Sequence, residues 1–324
     1  MSSTNSIQSL EEKLFNCNNR ISERVDLLHQ LIVHYLNTDL VKTKEYIDEA
    51  KEISTEINYQ EGIGLSNHQL GVYHYLQNNY ESALQAYLEA DVILSNSNNW
   101  KNRIKPKANI AMVYVRTQQY NEALRIYKEI EKEIKDIPID ITHAQMYINI
   151  DTAYYFLNDP ENGIAYCKKA LSIAHQLNSR YGIAISESNY AGHLLLQYNY
   201  MEALQHIDNS NAICETDKFN IILASNYLQY ADCYLYLKKY DVAIQHASTG
   251  ILLAKKIHDI EKETLIVKKM IEIYEEQHDY KNALLFSKNY IELKEKMLNN
   301  DKIKSFNALQ LKYETEKKEA ALNQ

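Results

Sequence analysis

Gln69, Asn109, Asn149, Asn189 and Gln229 stand forty residues apart, so an amide side chain recurs at one place in five successive stretches of the chain. An amide offers a donor and an acceptor together, and a ladder of amides could grip an extended peptide backbone step by step. The plainer reading of the same column is hydrogen bonding between neighbouring repeats. Histidines recur at the same interval, His34 with His74 and His206 with His246. On successive helix pairs they would stand on the order of 10 Å apart, too far for one zinc ion with ligand bonds near 2 Å. They read as structural or surface residues. Gly62-Ile63-Gly64 has half the glycine spacing of a dinucleotide fingerprint, but no strand precedes it and the third glycine is missing. Gly182-Ile183-Ala184 repeats it three rows later, which makes it a helix-start feature. No nucleophile motif, phosphate loop or metal-ligand spacing stands out, so the expectation is binding rather than catalysis, with no metal and no cofactor.

The elements that would position these residues follow from the same period. Tyr80, Tyr120, Tyr200, Tyr240 and Tyr280 share one column, with Leu40 and Pro160 in the remaining rows. Three residues on stand Thr43, Ala83, Ala123, Gly163, Ala203, Ala243 and Ala283, every one small. Six residues before the tyrosine column stand His34, His74, Tyr114, Tyr154, Leu194, Tyr234 and Tyr274. Within each row an amphipathic stretch ends in a polar pair such as Asn78-Asn79, Gln118-Gln119, Lys238-Lys239 or His278-Asp279, and a second stretch follows. Apolar residues recur at three and four, the helical spacing. One small residue per row lets two antiparallel helices approach closely, and the tyrosine covers their crossing with its ring. Each row is one helix-turn-helix hairpin, and hairpins laid side by side bury a core that none could bury alone. Pro160 falls where proline can open a helix.

Composition agrees. Seven glycines and three prolines in 324 residues are too few for a strand-rich fold with frequent turns. With 35 basic and 43 acidic residues the net charge is -8, which gives nucleic acid no general attraction. The start Met-Ser-Ser-Thr-Asn-Ser lacks a basic-then-apolar stretch, and no run approaches 18 apolar residues, so neither signal peptide nor membrane span is expected and the cytoplasm is the default address. Cys17, Cys167, Cys214 and Cys233 show no CxxC spacing and read as reduced, small hydrophobes.

Leu70-Gly71, Tyr80, Ala83, Tyr87 and Ala90 fall at the spacings of the tetratricopeptide repeat, and rows around Tyr114–Ala123 and Leu228–Ala254 fit nearly as well. The chain therefore resembles tetratricopeptide-repeat proteins over residues 22–298, with a period of 40 in place of the usual 34. Long repeats of this kind are found in bacterial regulators and peptide-sensing proteins. The resemblance implies an all-α, right-handed superhelical solenoid of seven hairpins. Residues 1–21 would form an N-terminal capping half-repeat, with Ser9 and Glu12 opening its helix as a capping box. Residues 299–324 carry a thin stripe, Ile303, Phe306, Leu309 or Gln310, and Tyr313, and the stretch Leu311–Glu319 resembles the linker helix of signalling proteins whose repeat region runs into a kinase, cyclase or DNA-binding domain. Self-association through this helix is one expectation.

The resemblance also implies that the first helix of each hairpin lines a concave groove. The positions expected there are Tyr35, His68 and Tyr75, then Asn109 and Arg116, then Gln145, Asn149, Thr152, Tyr155 and Phe156, and finally Asn189, Asp232 and Tyr236. Aromatics mixed with a few polar groups suit a peptide or helix, although inner aromatics of a tight superhelix could equally cover one another. The function this supports is a protein- or peptide-binding scaffold, the sensory module of a bacterial signalling system. The alternative is a peptide-responsive regulator of repressor or phosphatase type, for which residues 1–21 are short of the extra helical domain such proteins carry.

Overall fold

In a computed structural model, described for residues 2–17, 21–36 and 38–298, the chain is all helical. The helices are α1 Ser2–Asn16, α2 Ser22–Tyr35, α3 Leu40–Glu56, α4 Gln60–Leu76, α5 Tyr80–Leu94, α6 Trp100–Arg116 and α7 Tyr120–Glu133, then α8 Ile141–Phe156, α9 Pro160–Gln176, α10 Arg180–Leu196, α11 Tyr200–Asp217, α12 Asn220–Tyr236, α13 Tyr240–Lys256 and α14 Ile260–Glu276. A further helix, α15, occupies 280–298. The predicted tail helix over 299–324 lies outside the described residues. The chain divides into two compact units, unit 1 over Met1–Lys135 and unit 2 over Asp136–Ile303, each considered over its described residues.

Within each unit consecutive helices pair, α2 with α3 through α6 with α7 in unit 1, α8 with α9 through α14 with α15 in unit 2. From the second row onward the turn inside a pair is built the same way. In the second row Asn78 takes a left-handed φ of 60°, its N–H bonds to the Tyr75 carbonyl, and the Asn79 N–H reaches back to the His74 carbonyl. This is the Schellman arrangement, which satisfies carbonyls that a helix end leaves orphaned. Gln118, Asn158, Tyr198, Lys238 and His278 hold the same conformation in later rows. Asn79 then caps α5, its Oδ1 accepting from Ser82 N. The polar pairs visible in the sequence are thus a helix stop followed by a helix start. Pro160 opens α9, as its column requires.

The small column does sit at the crossings. Ala83, Ala123, Ala203 and Ala243 have no exposed surface, and Thr43 in the first row is equally buried with its hydroxyl donating to the Asp39 carbonyl at 2.8 Å. A second close approach is made by Gly71 in α4, where a Cβ would stand 2.4 Å from the Tyr87 ring. The absent side chain is what admits that ring to the core.

One local expectation is corrected. Helix α1 begins at Ser2, seven residues before Ser9, so Ser9 lies inside the helix and forms no capping box with Glu12. The Ser-x-x-Glu spacing permits a cap, but nothing between Ser2 and Ser9 breaks a helix. The apolar side chains of α1, Ile7, Leu10 and Leu14, pack with Val25 and Leu28 of α2, covering that hairpin as a half-repeat would.

Candidate functional site

The amide column bridges hairpins. In unit 1 Gln69 Nε2 donates to the His29 carbonyl at 3.1 Å while Gln69 Oε1 meets His29 Nδ1 at 2.5 Å. Asn109 Nδ2 lies 2.9 Å from His68 Nε2. In unit 2 Asn189 Nδ2 donates to Asp151 Oδ1 at 2.9 Å, and Gln229 Nε2 donates to the Ser188 carbonyl at 3.0 Å. The next member of the column is Lys269, whose ammonium contacts Asp232 Oδ1 at 2.6 Å. Each of these ties a first helix to the first helix of the preceding hairpin. Burial pushes the His68 imidazole down to about 3, so it meets Asn109 as a neutral ring.

Several positions expected in the groove therefore serve the joints, namely His68, Asn109, Asn189 and Asp232. Two more pair across a joint nearer the turn, where Arg116 Nε donates to Tyr75 Oη at 3.0 Å and Tyr75 packs edge-on against Tyr80. Tyr35, half-buried, donates its hydroxyl to Glu11 Oε1 at 2.6 Å and lies under the Lys42 ammonium, 4.2 Å from its centroid. Thr152 returns its hydroxyl to the Ile148 carbonyl at 2.8 Å. Asn149 is half-buried and Gln145 exposed.

Three of the expected groove positions in unit 2 are exposed aromatics. Tyr155 and Phe156 end α8, Tyr236 ends α12, and all three are about half exposed. Tyr236 stacks on Tyr200 at 4.5 Å, with Tyr198 edge-on to both. Tyr155 packs edge-on against His193 at 5.7 Å and lies over Gly192, whose hypothetical Cβ would stand 3.5 Å from its ring. Rings held by rings present apolar surface with little side-chain freedom left to lose, as binding surfaces require.

Beneath this face lies a feature that the sequence did not flag. Asp151 of α8, Cys167 of α9 and His193 of α10 are all buried, and one ligand-capable atom of each lies within 4.8 Å of the others. His193 Nε2 is 3.9 Å from Asp151 Oδ1. Burial pushes the Asp151 carboxyl and the Cys167 thiol well above their ordinary ranges. The four cysteines are free, three of them buried. Among the described residues no helix is long and apolar enough to cross a membrane.

No family model matches the chain. One curated relative, "Response regulator aspartate phosphatase I" of Bacillus subtilis (strain 168), is 23% identical over 180 residues, 54% of this chain. The match spans less than half, 45%, of that relative's length. Among solved structures the apo form of RapI matches with a TM-score of 0.72 and 12% identity, covering 85% of this chain and 99% of that one. A signal transduction ATPase from Pyrococcus horikoshii with a tetratricopeptide repeat sensor matches at 0.61 and 13% identity, over 83% of this chain and 41% of that one. A Rap protein complexed with competence and sporulation factor matches at 0.55 and 15% identity, over 91% of this chain and 99% of that one. The fold is the tetratricopeptide-like helical repeat.

Proposed function

We propose that the chain is a protein- or peptide-binding scaffold that acts as the sensory part of a signalling system. The observation that carries this reading is the exposed aromatic face of unit 2, Tyr155, Phe156 and Tyr236 above hairpin joints whose polar groups are already engaged. Such a surface has hydrophobic anchors to offer, and a few polar groups at its edge, Gln145 and Asn149, to set register. A Rap protein of like fold holds competence and sporulation factor, which supports ligand capture by this type of scaffold. Residues 299–324 would then relay the bound state to an attached domain or a second copy, and deletion of residues 301–324 should lower self-association while leaving ligand affinity unchanged.

Selection of displayed random peptides against the full chain tests the reading. Selected peptides should bind the Phe156→Ala/Tyr236→Ala double variant at least about ten-fold more weakly, each truncated anchor costing about 1–2 kcal/mol. Peptides that bind the double variant as well as the parent would remove this face from the function.

The sequence relative favours a second reading, regulation of a response regulator. Mixing the chain with a phosphorylated response regulator and following its aspartyl phosphate distinguishes the two. Accelerated loss of phosphate supports the phosphatase type, and an unchanged half-life supports a scaffold that acts by binding.

A further inference from the structure

At a single joint of unit 2, two core columns of the repeat turn polar and a third turns to cysteine. One row to either side, the position of Asp151 is Ala111 and Ala191, that of Cys167 is Tyr127 and Ile207, and that of His193 is Ala153 and Cys233. The small column yields at the same place, with Gly163 between the rows of Ala123 and Ala203. The structure gives the reason. A Cβ on Gly163 would stand 1.9 Å from His193 Cε1, so the missing methyl is the space the imidazole occupies.

The three side chains come from three consecutive helices and meet where water does not reach, His193 at 0% exposure and Asp151 at 1%. Asp151 Oδ2 and both ring nitrogens of His193 have no hydrogen-bond partner. Buried polar atoms are seldom left in that state, because each costs the full loss of its hydration. Asn189 meanwhile fixes the other carboxylate oxygen of Asp151 with its amide N–H, the way outer partners orient metal-binding carboxylates.

We propose that Asp151, Cys167 and His193 bind one divalent transition-metal ion of the zinc class. A carboxylate oxygen, a thiolate sulfur and an imidazole nitrogen form a borderline-soft donor set suited to such an ion. Two anionic ligands and a neutral ring cancel its double charge, which settles the site in a dry interior. Ligands around a tetrahedral ion with bonds of about 2.0–2.3 Å stand roughly 3.3–3.8 Å apart, so the triad at its present spacing closes with shifts of about 1 Å. On binding, the Cys167 proton and any proton that the burial-raised Asp151 carboxyl holds leave for solvent, and the sulfur and a carboxylate oxygen form the metal bonds. The ion would lock α8, α9 and α10 together directly under Tyr155, on the face assigned to ligand capture, although the site stands without that assignment.

Cobalt provides the test. The untagged full chain, stripped with chelator, is titrated with Co2+, and thiolate-to-cobalt charge transfer is read in the near ultraviolet alongside ligand-field bands in the visible. One equivalent should produce both signals, and Zn2+ should abolish them by displacement. Zinc at a hundred-fold excess over its Kd should raise the parent's Tm by about 5 °C. Cys167→Ala should lose the charge-transfer band and weaken binding about 100-fold or more, while Cys214→Ala keeps both. Alanine stands at the equivalent position in a later row, Ala247, so the substitution suits the core. Absence of a thiolate band in the parent chain overturns the proposal whatever the variants do, and leaves the triad as a proton-sharing network. Equal binding by Cys167→Ala overturns it as well. Neither result bears on peptide capture.

Discussion

Unit 1 bridges its hairpins by setting Gln69 against His29 and Asn109 against His68, whereas unit 2 uses the same column to set Asn189 against Asp151 and Lys269 against Asp232. The geometry repeats but the chemistry does not. Neutral pairs lose little when one member shifts, because an amide or a neutral ring is only moderately costly to strand. A half-buried carboxylate depends on its cation, and burial raises the Asp232 carboxyl even with Lys269 beside it. Unit 2 thus places charge that must be answered at two of these three joints, the third being the neutral Gln229–Ser188 bond, in the same region that exposes its aromatic face. Stability in one unit and sensitivity in the other come from one column of the repeat.

The strongest way to break this contrast is at the small column. Gly163→Ala should destabilise by about 2–3 kcal/mol through overpacking against His193, although alanine ordinarily favours a helix. Ala123→Gly in unit 1 should cost about 1–2 kcal/mol, the helix propensity loss plus one buried methyl. Urea unfolding midpoints compare the two, and a neutral Gly163→Ala would mean that His193 has room to move. Next in size, Lys269→Ala strands a carboxylate and should cost roughly 2–3 kcal/mol, against about 1–2 kcal/mol for Gln69→Ala. Equal costs in thermal unfolding would erase the distinction between charged and neutral joints.

Acid should separate the units in opposite directions. In unit 1, burial lowers His29, His68 and His74, so the unfolded chain takes up protons at 6.5 that the folded chain refuses. Stability there falls as pH drops below 6.5, and for His68 continues to fall until about 3. Glu11, held down by Lys42 and Tyr35, and Glu61, held down by Asn102 and Ser97, add stability above 4.5 that is lost as pH falls through their lowered values. Asp151 and Asp232 in unit 2 are raised by burial, so the penalty on their charged forms is relieved over the same fall. Asp91 in unit 1 and Asp279 in unit 2 run against this trend, and His246 in unit 2 joins the histidines. Hydrogen exchange, corrected for intrinsic rates and compared at neutral and mildly acidic pH, should show α2, α4 and α6 losing protection before α8 and α12. The reverse order would refute the assignment.

The smallest effects lie in the turns. Lys238 and Gln118 occupy left-handed positions at a cost that glycine does not incur, so Lys238→Gly should gain about 1 kcal/mol. Asn78→Gly should gain only a few tenths, since asparagine tolerates that conformation. Differential scanning calorimetry resolves the difference.

Much of the fold was legible because its causes repeat. A small buried residue at each crossing and a polar pair at most turns announce themselves every forty residues. The amide column was equally visible, but its acceptors were not, since they lie at separations of 40, 41, 38 and 41 residues and include backbone carbonyls. The capping box at Ser9 failed because a local spacing cannot say where a helix has already begun. Asp151, Cys167 and His193 escaped notice for a different reason. They stand sixteen and twenty-six residues apart on three helices, and only the packing brings them together. Their trace in the sequence was two polar intrusions and a cysteine in apolar columns, alongside a glycine among alanines.

The bridges also run one way along the chain. Gln69, Asn109, Asn189, Gln229 and Lys269 each reach back to a hairpin synthesised earlier. At a ribosome adding about 5–20 residues per second, an emerging hairpin waits roughly 2–8 s for the forty residues that complete its joint. For that interval the acceptors at His29, Ser188 and Asp232 face water or a chaperone. The order of emergence, as much as the final packing, decides which surfaces of the nascent protein are exposed, and for how long.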